Sequence, residues 1–333
     1  MNSKLRKRSA PGLTYVTIDS GLALARKVLR YWHCTTTMAA LSYNFIPLVN
    51  QQKQLPLPAW YPFDVYESKF FELFYVLESY GQTWQAQQFA NGCGTAAYVF
   101  VLITSQIDML CASIKNIPYT ALIRHGINKN HLLKMQENLK NTYQEINQFS
   151  TGDKIELLED FSLYESVYFV QSTSHEVLSD FNLTPDAFKN PKLKKCLKEA
   201  FIDCIHHHEE IISMSKDYQN LMSTFFLLKL ADITGLMTLI LIAITTTQDS
   251  TRAIVFCEYL TIPSIELFIL CYYGTNLTHQ SSKLINAVMN SDWYLYAGAL
   301  RSEVSIFLAE TVKPIFFTGS GLFRISIETL ISV

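Results

Sequence analysis

From Ser79 to Ile107 the chain carries no charged side chain, and from Tyr31 to Gln52 none again. Roughly 20 apolar residues suffice for a helix to cross the hydrocarbon of a bilayer. Two more apolar stretches, Thr224 to Thr247 and Ala253 to Tyr273, are separated only by the polar turn Gln248-Asp-Ser-Thr-Arg252, so they read as an antiparallel membrane hairpin. Charged residues make up 17% of the 333 residues and hydrophobic ones 49%, against roughly 25% charged in an average soluble domain. The expected fold is all-α: an integral membrane helical bundle with long cytoplasmic helix extensions.

Orientation and organisation follow from charge. Lys4, Arg6, Lys7, Arg8, Arg26, Lys27 and Arg30 face a lone Asp19 over the first thirty positions; such a basic flank before a first span is a cytoplasmic flank. Residues 1-27 therefore read as a cytoplasmic N-terminal segment, and the basic start, with no apolar core behind it, does not form a signal-peptide pattern. Residues 28-118 read as membrane helices around an outer loop at 50-66. Within that loop Leu55-Pro-Leu-Pro-Ala-Trp-Tyr-Pro-Phe-Asp64 is incompatible with helix, because three prolines remove donors and extend their predecessors. Phe70, Phe71, Phe74, Leu77 and Tyr80 fall at helical spacing beyond it, and Asn91-Gly-Cys-Gly94 offers small residues for close helix approach. Pro118 marks the end of that helix. Residues 119-220 are charged and amphipathic and read as a cytoplasmic helical region. The hairpin occupies 221-274, a cytoplasmic segment 275-315, and the start of a last membrane helix 316-333.

Composition excludes several function classes. A net charge of −2 lacks the basic stripe of a nucleic-acid binder. The cysteines at 34, 93, 111, 196, 204, 257 and 271 show no Cys-x-x-Cys spacing, so they read as reduced thiols outside any disulfide or zinc framework. His206, His207 and His208 project about 100° apart on a helix and do not converge on one metal as an i, i+4 pair does. A solvated cytoplasmic face is the expected setting for them. With no catalytic constellation and no cofactor motif, the chain does not read as an enzyme.

The C-terminal third carries the informative motifs. Ile254 to Tyr273 runs into Cys271-Tyr-Tyr-Gly-Thr-Asn276 and a Ser-rich stretch; Ala287, Ser291, Trp293 and Tyr294 form an Ala-x-x-x-Ser-x-Trp-Tyr element; and Pro314, Thr318 and Gly319 form Pro-x-x-x-Thr-Gly. In that order these elements resemble the insect odorant receptor family, as does the Pro-x-Trp-Tyr-Pro-Phe-Asp loop. The resemblance implies a subunit of a seven-helix, ligand-gated, nonselective cation channel, tetrameric with a co-receptor subunit and unlike a G-protein-coupled receptor. It implies a small hydrophobic odorant as ligand and the plasma membrane of a sensory neuron dendrite as location, with the N-terminus cytoplasmic. Aligned on the loop, the first span corresponds to the family's third helix. The expectation is that the family's first two helices and the end of its last have no counterpart here, so that a nonfunctional truncated receptor is an alternative reading. A transporter using Glu258 and Glu266 is a more distant one.

The implied odorant pocket lies among the outer halves of the helices. An apolar volatile needs an apolar, aromatic cavity with few polar groups, and position alone selects Met38, Ser42, Tyr43, Phe70, Phe74, Leu77, Tyr259 and Ile262, with core packing as the alternative for each. For the pore, Arg324 and Glu328 are expected at i, i+4 on the last helix, where charges near a mouth tune cation selectivity; a plain ion pair between them explains the same spacing. Ionisable groups at membrane depth are functional candidates by default. Lys229 and Asp232, at i, i+3, are expected to form a local ion pair, while Glu266 suits a helix contact or a water-lined surface.

Overall fold

The computed structural model describes residues 10–12, 18–49, 55–56, 61–65, 69–130, 132, 190–246, 250–289, 291 and 297–332. Its elements are α1 (Ile18–Val49), α2 (Phe71–Lys115), α3 (Ile117–Arg124), α4 (Pro191–Thr246), α5 (Ser250–Met289), α6 (Ala297–Thr311), β1 (Thr318–Gly319), β2 (Phe323–Arg324) and α7 (Ile327–Ser332). Helix dominates, as the uncharged runs require. The part of the 119-220 region from His131 to Lys189, apart from Leu132, lies outside the described residues, as does Asn182 of a formal Asn-Leu-Thr acceptor.

Two compact units emerge. The first comprises residues 1–21, 103–222 and 276–317, the second 22–102, 223–275 and 318–333. Helices α2, α4 and α5 each contribute residues to both, because each joins an apolar stretch to an amphipathic one without a break. The apolar stretch of the hairpin runs past Gly274 into the Ser-rich segment as one helix, Ser250–Met289. The Ser-rich segment after it stays helical to Met289, since its Leu277, Leu284, Ala287 and Val288 recur at helical spacing and are buried.

In the second unit, α2 lies against α1 and α4 through its small residues. A Cβ at Gly94 would collide with Leu29 of α1, and one at Gly92 would stand 3.0 Å from Phe225 of α4. Ala90, Cys93, Ala96 and Ala97 continue that close-packed surface, all nearly inaccessible. In lipid there is no water to expel between helices, so close van der Waals packing and interhelical polar contacts hold such an interface. Helices α2 and α4 are each long and apolar enough to cross a membrane, but 78% of the apolar window of α2 is buried against 17% of that of α4. The outward apolar face of α4, with Leu228, Leu236, Leu239 and Ile242 exposed, suits hydrocarbon.

The first unit has a conventional core. Ile107, Met109, Leu110 and Ile114 of α2, Tyr119 and Leu122 of α3, and Leu197, Phe201 and Ile211 of α4 are buried, with Phe307 of α6. Phe201 meets Phe307 edge-on at 5.7 Å. Pro118 sits in the first turn of α3, where its missing N–H is no loss, so the expected break of α2 falls where proline rules place it. Lys198 pairs with Glu303 at 3.0 Å and Arg124 with Asp203; both pairs are partly exposed and contribute little stability.

The histidine run departs from expectation. Only His206 is exposed; His207 and His208 retain 3% and 5% of their surface. His207 Nε2 lies 2.9 Å from Gln106 Oε1 of α2, and His208 packs edge-on against Phe307 at 5.2 Å. Three successive residues sweep most of a helix's circumference, so one faces solvent and the other two face α2 and α6. Burial holds the His208 pKa below its ordinary value, opposed by the charges of Glu310 and Glu209.

Candidate functional site

The end of the second unit where α1 finishes and α2 begins is built on a polar face of α2. Glu78, Ser79, Gln82, Thr83 and Gln87 follow one another at helical spacing, so they line one side of the helix. That side meets α1: Gln87 Nε2 donates to Thr37 Oγ1 at 2.6 Å, Gln87 Oε1 lies 3.1 Å from His33 Nδ1, and Asn44 Nδ2 donates to Thr83 Oγ1 at 3.3 Å. Tyr75 completes the seam by donating its hydroxyl to the Asn44 carbonyl. From the loop, Tyr61 donates to Glu78 Oε1 at 3.1 Å. Its ring meets Phe74 edge-on at 5.5 Å, and Phe63 stands 5.6 Å from Phe74.

The residues selected by position fall unevenly around this seam. Phe74 is part of the aromatic group with Tyr61 and Phe63. Ser42 is half-buried and donates to the Ala39 carbonyl at 2.7 Å. Ile262 is half-buried on α5. Met38, Phe70 and Leu77 are exposed, at 68%, 64% and 56%, and Phe70 precedes α2 instead of lying within it. The side chains of Tyr43, Glu258 and Tyr259 lie outside the described residues. Reading for apolar residues passed over Glu78, Ser79, Gln82 and Asn44, although a polar stripe at helical spacing, running from Glu78 into the uncharged span, was visible in the sequence.

Deeper in the same unit, the expected Lys229 to Asp232 pair does not form. Lys229 Nζ instead lies 3.1 Å from Glu266 Oε1, joining α4 to α5. Glu266 is 1% exposed, whereas Asp232 faces outward. The ammonium also caps the Phe89 ring of α2 at 3.1 Å, and the Cys93 thiol donates to the Glu266 carbonyl at 3.7 Å. A cross-helix partner wins because the interior offers the lysine both a carboxylate and an aromatic face, while i, i+3 pairing with Asp232 would leave Glu266 buried and unpaired.

The C-terminal segment also corrects an expectation. The start of the last helix was expected over 316-333, with Arg324 and Glu328 a turn apart on it. Instead Thr318–Gly319 and Phe323–Arg324 form a small antiparallel hairpin, Thr318 opposite Arg324, and α7 begins at Ile327. Ser320 (φ 48°) and Gly321 (φ 74°) adopt left-handed conformations, which turn the chain sharply and preclude continuous helix. Arg324 is therefore on β2 and Glu328 in the first turn of α7, both exposed. The hairpin rests on α5 where Gly274 stands against the Ile325 backbone, a contact no Cβ fits. The Ile327 N–H donates to Thr275 Oγ1 at 2.8 Å and the Ser320 N–H to the Ser223 carbonyl of α4 at 3.2 Å. Gly274, Thr275 and Gly319 thus have a shared structural task, docking the hairpin. Between the hairpin, α4 and α5 remains a gap of about 10 Å³ lined by Phe226, Leu267, Leu270 and Phe323 among others, room for about one water and none for an organic ligand.

The arrangement of long continuous helices with a C-terminal hairpin docked on the penultimate one has known counterparts. The profile of the 7tm odorant receptor family matches residues 17–333. The chain belongs to the odorant receptor family. Odorant receptor 83a of Drosophila melanogaster is 23% identical over 331 residues, covering 98% of this chain and 68% of that protein. In fold, the receptor chain resembles the insect olfactory receptor OR5 of Machilis hrabei, solved with eugenol, at a TM-score of 0.61 and 16% identity over 95% of this chain. The ligand-free structure of that receptor matches at 0.61 and 14%. The chain spans 64% of the length of those solved structures. Family membership makes it a membrane protein of the odorant receptor kind, and the all-α membrane bundle read from its uncharged runs is the family's fold.

Proposed function

We propose that this chain is an odorant receptor subunit that binds a small volatile ligand in its second unit and opens a nonselective cation conductance with a co-receptor subunit. The match of the family profile to residues 17–333 carries this reading, and the binding of eugenol by the OR5 receptor of similar fold supports a ligand site between helices. In this reading the α1–α2 seam, with Phe74 and Ser42, borders the ligand; Tyr43, Tyr259 and Ile262 approach it from their helices; and Met38, Phe70 and Leu77 complete it with parts of the receptor beyond those described. Arg324 and Glu328, both exposed beside the docked hairpin, face the ion path. The basic N-terminal flank is cytoplasmic, the loop at 50-66 is outside, and the chain resides in the plasma membrane of a sensory neuron dendrite.

The test is expression of the complete open reading frame containing these residues, with and without a co-receptor subunit, in voltage-clamped cells. The expected result is an odorant-evoked inward cation current that co-receptor alone does not give for the same odorant. Phe74→Ala shifts odorant potency more than Leu139→Ala, a site in the 119-220 region. Odorant responses identical with and without this chain would refute the reading.

A further inference from the structure

The α1–α2 seam contains more hydrogen-bond acceptors than the protein satisfies. Glu78 Oε2, Gln82 Oε1 and Asn44 Oδ1 are each shielded from solvent without a hydrogen-bond partner, and so is the Ser79 hydroxyl oxygen. Glu78 and Gln82 are one turn apart on the same face of α2. Asn44 is held to that face by its bond to Thr83, while Tyr61 engages only the other oxygen of Glu78. Buried acceptors left without donors are costly. Two on α2 and one on α1, held at Thr83, these acceptors offer a receptor for three donors.

We infer that this seam binds the head of a small aliphatic amine, with Glu78, Gln82 and Asn44 accepting its N–H groups. A protonated primary amine presents three N–H donors and no acceptor, matching the number and polarity of the unsatisfied atoms. The Glu78 carboxylate supplies the opposite charge. Tyr61, bonded to Glu78, is grouped with Phe63 and Phe74, and these rings suit both an ammonium, through their π-faces, and the first methylenes of an alkyl tail. An ester or ether offers only acceptors and leaves all three atoms unpaired, so the site discriminates against it. The inference rests on the odorant-receptor reading and deepens it by naming the ligand class.

The test compares hexylamine, hexan-1-ol and hexyl methyl ether as agonists of the complete receptor co-expressed with a co-receptor subunit, with surface labelling of each variant. Hexylamine is expected to be at least tenfold more potent than the ether, with the alcohol between them. Glu78→Gln raises the half-maximal hexylamine concentration tenfold or more and narrows or removes the preference for hexylamine over the ether. Should Glu78→Gln fail to reach the surface, Gln82→Leu is read in its place, with a smaller shift in the same direction. Equal potency of the three probes, no response to hexylamine, or an amine preference that survives both variants overturns the inference. Responses to the ether alone overturn it while leaving the receptor reading intact; silence to every volatile with normal surface expression counts against both.

Discussion

Lys229 and Glu266 show how one residue pair constrains a bundle that has little hydrophobic drive between its helices. Removing either partner strands the other in the interior, which typically costs about 3–5 kcal/mol, whereas replacing both with apolar residues of similar size is often neutral. Lys229→Met and Glu266→Leu are therefore each expected to lower the melting temperature of the solubilised protein sharply, and the two together to recover most of the loss. Additive losses in that cycle would mean the pair is not coupled. His208 makes a second prediction, in the first unit. Its pKa is held below the ordinary value by burial, so the folded state favours the neutral ring. The contribution is complete above the unfolded value of about 6.5 and is lost as pH falls through the lower folded value. The first unit should thus loosen below about pH 6.5, and His208→Gln should flatten that dependence; hydrogen exchange in α6, read against pH, checks both.

At the scale of elements, the docked C-terminal hairpin is the part least tolerant of change. Gly274→Ala places a methyl against the Ile325 backbone, a clash that moving a side chain does not relieve. It is expected to displace the hairpin and abolish conductance while leaving a folded, surface-expressed protein. Normal currents from Gly274→Ala would show that the docking is dispensable. The same hairpin marks the limit of what the sequence discloses. Uncharged runs located α1, α2 and the α4–α5 hairpin because spanning a bilayer leaves few alternatives to a long apolar helix. Residues 316-333, read as the start of a helix, equally suit a turn at Gly319 and Gly321, and only the left-handed backbone at Ser320 and Gly321 decides between them. Likewise the partner of Lys229 is fixed by which helices touch, which periodicity within one helix does not report. The polar stripe Glu78-Ser79-Gln82-Thr83 was legible, but its significance lies in the acceptors that α1 leaves unpaired.

The whole molecule must have one orientation, and in the proposed reading the excess of basic residues before Val28 sets it. A glycosylation acceptor introduced at residues 51–54 is expected to gain an endoglycosidase-sensitive mass, and one introduced at residues 150–160 to remain unmodified. The opposite pattern would invert the topology and remove the cytoplasmic assignment of residues 119-220. Orientation in turn fixes which end of the bundle meets ligand and which meets the cell interior. The proposed account joins a ligand seam at the α1–α2 end with an ion path beside β2 and α7 in one chain. The measurement that tests this most directly is the reversal potential of the ligand-evoked current from receptors carrying Glu328→Lys, in mixed sodium and calcium solutions. A subunit that both binds ligand and lines the path is expected to keep its ligand potency within about threefold while its relative calcium permeability falls. A ligand-evoked current with unchanged permeation in Glu328→Lys and also in Arg324→Glu would contradict the account, placing the conducting path outside this chain.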